Sequence, residues 1–361
     1  MLTKFQLIIL TIFLALLGCE KDDTPPEPIV KRNFKMGFTS WPYAATLEAQ
    51  QNTYNFLRDE GDIYAEHIDD KIPWSAWINN TSLPQEFVTN IESRKSRLIP
   101  TNQLLVSVSL FNNLRTDLAE DYDGFTPSYD SLNQRSIQEA YVKHLNYIID
   151  ALQPEYLILV IEANELLMNS PNLWEAYKKL ISKVRSRIKS NHSDILLSES
   201  ITLHNWYKPN GLDPTLSIEI KNYVNQNQDF VAISYYPFFQ LLATPNEYQR
   251  AFDFLHQQTS KPIAFAETAQ IAETLTVPNL NINIASNTAI QQNYLETLLA
   301  NAEQEDYEFV IWWCHRDYDV LWQTFPPSAK DLGQLWRDSG LLDENGNERP
   351  ALSSWRILFQ K

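Results

Sequence analysis

Tyr156-Leu157-Ile158-Leu159-Val160-Ile161-Glu162-Ala163-Asn164-Glu165 is an unbroken apolar run that ends abruptly in an amide and carboxylates. It is short, β-branched and leucine-rich, and shows no polar alternation, the pattern of a strand buried on both faces. Such strands belong to parallel sheets of α/β folds. Ligands bind beyond the carboxyl ends of these strands, so the polar groups stacked at this end are functional candidates by position.

Working outward from this strand, the chain alternates strand-like and helix-like segments. Strands are expected at Phe34 to Thr39, Asp62 to Ile68, Leu104 to Phe111, Tyr156 to Ile161, Ile195 to Leu203, Phe230 to Tyr235, Pro262 to Ala266 and Glu308 to Trp313. Helical periodicity marks Leu47 to Arg58, Pro84 to Leu98, Ile137 to Leu152, Leu173 to Lys189, Ser217 to Asn227, Asn246 to Gln257 and Thr288 to Ala302. Asn172 and Asn246 are the expected helix starts for two of these. The tail from Lys330 to Phe359 supplies a last helix, with Pro350 in its first turn. Eight such units make a single (β/α)8 TIM barrel, an α/β fold, over residues 34–361, and no second core remains.

The chain has 361 residues, 44% of them hydrophobic, enough for a sizeable core. A formal net charge of −16 argues against nucleic acid, whose binding needs clustered Lys and Arg. Ten Trp and seventeen Tyr supply flat amphipathic surfaces of the sort that stack on sugar rings.

Residues 1–18 have the pattern of a signal peptide, Lys4 followed by the apolar run Phe5 to Leu17, too short for a permanent membrane span. Leu16-Leu17-Gly18-Cys19 resembles a bacterial lipobox, which implies lipidation of Cys19; the alternative is an ordinary secreted chain cut near Gly18. Glu20-Lys21-Asp22-Asp23 resembles an acidic export signal, which implies an outer-membrane lipoprotein exposed at the cell surface, touching the membrane through its lipid only. Residues 19–33 carry three prolines and mixed charge, the composition of a flexible tether. With Cys19 lipidated, Cys314 is the one thiol left, and its apolar setting after Trp312-Trp313 makes it a small buried hydrophobe.

Glu267 in Pro262-Ile263-Ala264-Phe265-Ala266-Glu267-Thr268 ends the seventh expected strand, 102 residues after Glu165 at the end of the fourth. Three barrel units take roughly 90 residues, so both carboxyls are expected at one mouth of the barrel. A carboxylic acid and a carboxylate facing each other are the parts of glycoside hydrolysis. Glu162 and Glu199 also stand near strand ends, and a buried pair or helix contact is the preferred account of both.

An Asn-Glu pair closing strand four with a Glu closing strand seven resembles clan A of the glycoside hydrolases, the retaining (β/α)8 enzymes. Ile233-Ser234-Tyr235-Tyr236-Pro237-Phe238 and Ala266-Glu267-Thr268-Ala269 are similar to the strand-six and strand-seven signatures of the family 53 endo-β-1,4-galactanases. Gly340-Leu341-Leu342-Asp343 to Arg349-Pro350-Ala351 has a form seen at the end of clan A domains. The resemblance implies Glu165 as acid/base, Asn164 holding the sugar 2-hydroxyl and Glu267 as nucleophile, with Tyr235 or Tyr236 donating to Glu267. The Arg that supports the nucleophile in many clan members is missing from Ala65-Glu66-His67-Ile68-Asp69; either His67 takes its role or that support is absent. Trp312 or Trp313 would floor the sugar, the other being core. Trp41, His204 and Trp206 are candidate cleft residues, and His315, Arg316 and Asp317 are rim contacts or loop charges.

Other chemistries lack their parts. No His-x-His follows the first strand, the six His have no ligand spacing, and neither a Gly-rich phosphate loop nor a Gly-x-Ser-x-Gly elbow is present. No cofactor and no metal are expected. The expectation is a monomeric retaining glycosidase acting on a β-linked, galactan-like polysaccharide or oligosaccharide. The alternatives are a catalytically silent barrel that captures glycan, and a barrel acting on a non-carbohydrate ester or amide.

Overall fold

A computed structural model describes residues 32–69, 71–208, 213–226 and 228–361. The leader, Cys19 and most of the tether lie outside them, as does Asn227 at the end of one expected helix.

Eight parallel strands form the fold: β1 (Lys35–Thr39), β2 (Ile63–Ile68), β3 (Gln103–Val108), β4 (Tyr156–Ile158), β5 (Leu196–Ser198 with Ser200–Thr202), β6 (Val231–Tyr235), β7 (Ile263–Thr268) and β8 (Phe309–Trp312). Each pairs with its sequence neighbour, and β8 pairs with β1. The first run of β5 pairs with β4 and the second with β6, interrupted only at Glu199. One strand thus serves both neighbours, and the sheet closes on itself into the expected (β/α)8 barrel. The Glu199 carboxylate at the break is buried and takes hydrogen bonds from Arg185, Tyr223 and Gln228. That is the structural role expected of it.

The barrel interior is filled by Ile63, Ala65, Leu105, Tyr156, Ile158, Phe230, Ala232, Ala264, Ala266, Phe309 and Ile311. A second, larger apolar layer lies between the strands and the helices. The 2.0-residue period of a strand therefore points Ile63 and Ala65 inward and Tyr64 outward, and the same parity carried onward decides which polar side chains reach the mouth.

Several boundaries differ from expectation, each with a local cause. β4 is regular over Tyr156–Ile158, but hydrogen bonds to its neighbours run on to Ile161, through Leu159 N–H to the Ser198 carbonyl, Ser200 N–H to the Val160 carbonyl and Ile161 N–H to the Val108 carbonyl, and the chain turns at Glu162, whose φ is 56°. The helix expected from Asn246 begins at Pro245, since Thr244 and Glu247 form a reciprocal capping box. The helix expected from Leu173 begins at Trp174, behind the tight turn Pro171–Leu173. A short extra helix, Trp74–Asn79, precedes Gln85–Lys95. At the first described residue, the Arg32 guanidinium pairs with Asp62 at 2.7 Å.

Gly37 of β1 faces Ile63 so closely that a Cβ there would lie 1.7 Å from the Ile63 carbonyl oxygen. The β1–β2 pairing must open to admit any side chain. Gly37→Ala is expected to cost about 3 kcal/mol or more, roughly 5–10 °C in melting temperature, measured by thermal denaturation. An unchanged melting temperature contradicts the packing described.

Candidate active site

At the carboxyl ends of the strands lies a cleft of about 390 Å³. Its floor holds two carboxyl groups, Glu267 from the end of β7 and Glu162 from the turn after β4.

Glu267 reaches the cleft through a bulge. Ile233 of β6 is in register with Phe265, but Ser234 is in register with Glu267, so β7 carries one extra residue there. Ala264 and Ala266 point inward, and the bulge lets Glu267 follow them in. Ser234 and Tyr236 share the inward parity of Ala232. Ser234 Oγ lies 2.9 Å from Glu162 Oε1 and 2.8 Å from Glu267 Oε1, which puts the two carboxyl oxygens no more than about 5.7 Å apart.

Glu162 is one of the few non-glycine residues in the left-handed region, with φ 56° and ψ 49°. That conformation stops the strand and starts the helix Ala163–Asn169, leaving Glu162 as the side chain aimed into the cleft. Arg115, from the long connection after β3, also has positive φ, 51°. Its Nη2 lies 2.7 Å from Asp69 Oδ2 and 3.3 Å from Glu162 Oε2. The cation missing from the end of β2 is thus supplied from the next loop, where no strand pattern marked it.

The structure does not bring Asn164 and Glu165 to Glu267. Both sit in the first helical turn after Glu162 and lean on the end of β5. Asn164 is fully buried; its Nδ2 donates to Thr202 Oγ1 at 2.9 Å, and its Oδ1 accepts from the Thr202 backbone N–H at 2.8 Å. The Glu165 carboxyl accepts from the Thr202 hydroxyl and, at 2.8 Å, from Asn205 Nδ2. Burial raises its pKa, opposed by those two donors. Neither residue lines the cleft. The preferred account of Glu162 from sequence, a buried pair, holds for its contact with Arg115 but misses its place beside Glu267.

Of the two strand-six tyrosines, Tyr236 lines the cleft and is hydrogen-bonded to Glu267. Tyr235 packs in the outer layer against Phe252 and Tyr294. Trp313 shares the inward parity of Phe309 and Ile311 and lines the cleft, its ring 5.5 Å from that of Trp41. Trp312 is core, its Nε1 donating to Ser339. His67 Nδ1 lies 3.3 Å from Glu267 Oε2. Burial lowers the His67 pKa to about 4, so at neutral pH this contact involves an uncharged ring. His204 stacks behind Tyr236 and Phe239 without lining the cleft, and Trp206 is core. Among the described residues the buried indole N–H groups of Trp41 and Trp336 have no hydrogen-bond partner.

Electrostatics follow from this geometry. Two charges about 5 Å apart repel by about 3 kcal/mol at an effective dielectric near 20, enough to keep a proton on the pair through neutrality. Burial, and then Glu162, push Glu267 up to about 8, opposed by the Ser234 hydrogen bond. A hydroxyl has one hydrogen to give. Ser234 can therefore bond both carboxyls only when one of them is protonated and donates to its oxygen. The pair holds one shared proton. Burial also works against ionised Asp69, but the Arg115 charge outweighs it and holds that carboxyl below its ordinary range.

Two acidic groupings occur elsewhere among the described residues, Glu273/Asp317/Glu344 and Asp317/Asp319/Asp338. Guanidinium groups already neutralise them: Arg349 pairs with Asp317 and Glu273, and Arg337 with Asp319 and Asp338. Neither grouping lines the cleft. His315 and Asp317 are buried, and Arg316 lies over Tyr43. Cys314 is buried, as expected.

No protein-family model and no curated protein matches the sequence. Solved structures do match, in fold. A family 5, subfamily 18 glycoside hydrolase from Bifidobacterium longum subsp. longum, in complex with Manβ1-4GlcNAc, matches with TM-score 0.63 at 14% identity, over 91% of this chain and 78% of that one. The family 53 catalytic domain of Ignisphaera aggregans matches with TM-score 0.57 at 15% identity, over 92% and 98%. An exo-β-1,4-mannosidase from an Opitutaceae bacterium matches with TM-score 0.60 at 11% identity, over 91% and 59%. The barrel is the fold that these glycoside hydrolases share.

Because the folded-state pKa of Glu267 is raised, the stability tied to its proton is fully present below the ordinary carboxylate range and is lost as pH rises through about 8. Glu267→Gln is expected to melt higher than the wild type by a few degrees at about pH 9, with the gap closing near about pH 4. Melting curves across that range check it, and a gap that does not grow with pH contradicts it.

Proposed function

We propose that the protein is a retaining glycoside hydrolase of β-linked glycans, with Glu267 as nucleophile and Glu162 as acid/base. The observation that carries this is the Ser234 hydroxyl within 2.9 Å of both carboxyls. It keeps their facing oxygens within about 5.7 Å of each other, which fits the carboxyl spacing of double displacement better than the roughly 6.5–9.5 Å gap of an inverting enzyme. The shared fold with glycoside hydrolases supports the same reaction class.

In the first step the shared proton, held by Glu267 in the resting pair, passes through the Ser234 hydroxyl to Glu162, and the Glu267 carboxylate then attacks the anomeric carbon while Glu162 gives that proton to the departing glycosidic oxygen. Tyr236, donating to Glu267, keeps that carboxylate aimed. Once the Glu267–glycosyl ester forms, Glu162 has given up its proton and stands beside the ester as a carboxylate. Glu162 then takes a proton from water, which opens the ester and regenerates the pair. Arg115, clamped by Asp69, orients the Glu162 carboxylate throughout. Trp41 and Trp313 provide the apolar faces for a sugar ring. A galactan-like substrate rests on the family 53 resemblance, and a cell-surface location rests on the lipobox at Cys19.

On a panel of β-glucan, β-galactan and β-mannan oligosaccharides, Glu162→Gln and Glu267→Gln are each expected to lower kcat/KM by about 10³-fold, and Glu165→Gln by less than about ten-fold. Loss with Glu165→Gln and survival with Glu162→Gln overturns the assignment. Binding of glycan by the wild type without cleavage makes the barrel a capture protein.

A further inference from the structure

A side pocket of about 210 Å³ opens off the cleft and shares Trp41, His67, Asn90 and Arg94 with it. Its own walls include Thr39, Ser40, Tyr54, Ser93 and Arg97. Among the described residues no acidic side chain lines it. The nearest carboxylate, Glu66 on β2, is fully buried beneath it and saturated by donors from Ser40, Tyr54 and Arg94. Arg94 is therefore neutralised in place.

Arg97 is not. Among the described residues no carboxylate lies within ion-pair distance of it. Its guanidinium is held over the Tyr54 ring at 5.2 Å and donates to Ser93 Oγ at 2.7 Å, while its Nε makes no hydrogen bond. Facing the same space, the Thr39 hydroxyl on β1 is 2% exposed and unpartnered, and the Trp41 indole N–H is unpartnered too. Two of the nearby acceptors are spoken for, Asn90 Oδ1 by Arg94 Nε at 2.9 Å and Ser93 Oγ by Arg97, and the Gln50 amide, which can present either its oxygen or its N–H groups, also lines the pocket. What remains is a set of donors around one uncompensated cation, in a protein whose net charge is −16. Such a lining would repel a bound cation and leave an apolar ligand with buried donors unpaired; it matches an oxyanion.

We infer that this side pocket binds an anionic substituent, a uronate carboxylate or a sulfate ester, carried by the glycan on a sugar next to the one at Glu267. The inference rests on the glycosidase reading for its substrate and on the pocket alone for its charge. His67, shared by cleft and pocket and 3.3 Å from Glu267, fixes that adjacency.

The test uses three sets of β-linked trisaccharides of glucose, galactose and mannose: neutral, bearing one glucuronate, and bearing one sulfate ester. Hydrolysis is measured with the wild type, Arg97→Gln and Arg97→Lys, and calorimetric binding with Glu267→Gln alone and combined with each Arg97 change. The wild type is expected to favour one charged set over the neutral set by about ten-fold or more in kcat/KM. Arg97→Gln is expected to lower that ratio about ten-fold and Arg97→Lys to retain part of it; the preferred set tells carboxylate from sulfate. Equal use of charged and neutral sugars, or a ratio untouched by Arg97→Gln, overturns the inference. Hydrolysis of neutral sugars without charge preference leaves the glycosidase standing and removes the anion pocket. Arg97-dependent binding of charged sugars with no hydrolysis of any set does the reverse.

Discussion

One hydroxyl between two carboxyl groups organises the mouth of this barrel. Ser234 holds Glu162 and Glu267 within about 5.7 Å in a largely buried cleft, where both cannot be ionised at neutral pH without strong repulsion. Everything around them manages that repulsion: Arg115 shields Glu162, Asp69 fixes Arg115, and Tyr236 and His67 contact Glu267 with uncharged groups. The pair keeps one proton, and a reaction that needs one acid and one base finds both in place.

The barrel supplies this arrangement with two departures from regular backbone. A bulge in β7 turns Glu267 inward, and a left-handed residue after β4 turns the chain so that Glu162 alone points into the cleft. A second left-handed residue, Arg115, is its ion-pair partner. Local backbone cost of about 1–3 kcal/mol at such positions is offset by the surrounding packing, and it gathers where the chemistry is.

The barrel was legible in the sequence because buried parallel strands are long apolar runs with helical segments between them, and seven of its eight strands fall close to where those runs lie. Glu267 was legible because it directly follows such a run. Strand four misled at its end: its hydrogen bonds run with the apolar residues to Ile161, and the turn that ends it is made by the very next residue, Glu162, a residue type with no turn preference to announce it. The Asn-Glu pair two residues later therefore looked like the strand end, while in the folded chain it anchors the next helix to Thr202. Parity would have separated Tyr236 from Tyr235 and Trp313 from Trp312 had the inward layer been known, and that layer is a property of the closed barrel rather than of any one strand. Arg115 had no signal at all, since it lies in an irregular connection whose path depends on the rest of the fold.

Double displacement requires Glu267 to form a covalent bond to sugar opposite Glu162. Incubation with 2-deoxy-2-fluoro-β-glycosyl fluorides of glucose, galactose and mannose, followed by mass spectrometry of peptides, reads this directly. A glycosyl adduct on Glu267 that accumulates with loss of activity is the predicted result. An adduct on another carboxylate, or turnover that releases the inverted anomer with no adduct, would contradict it.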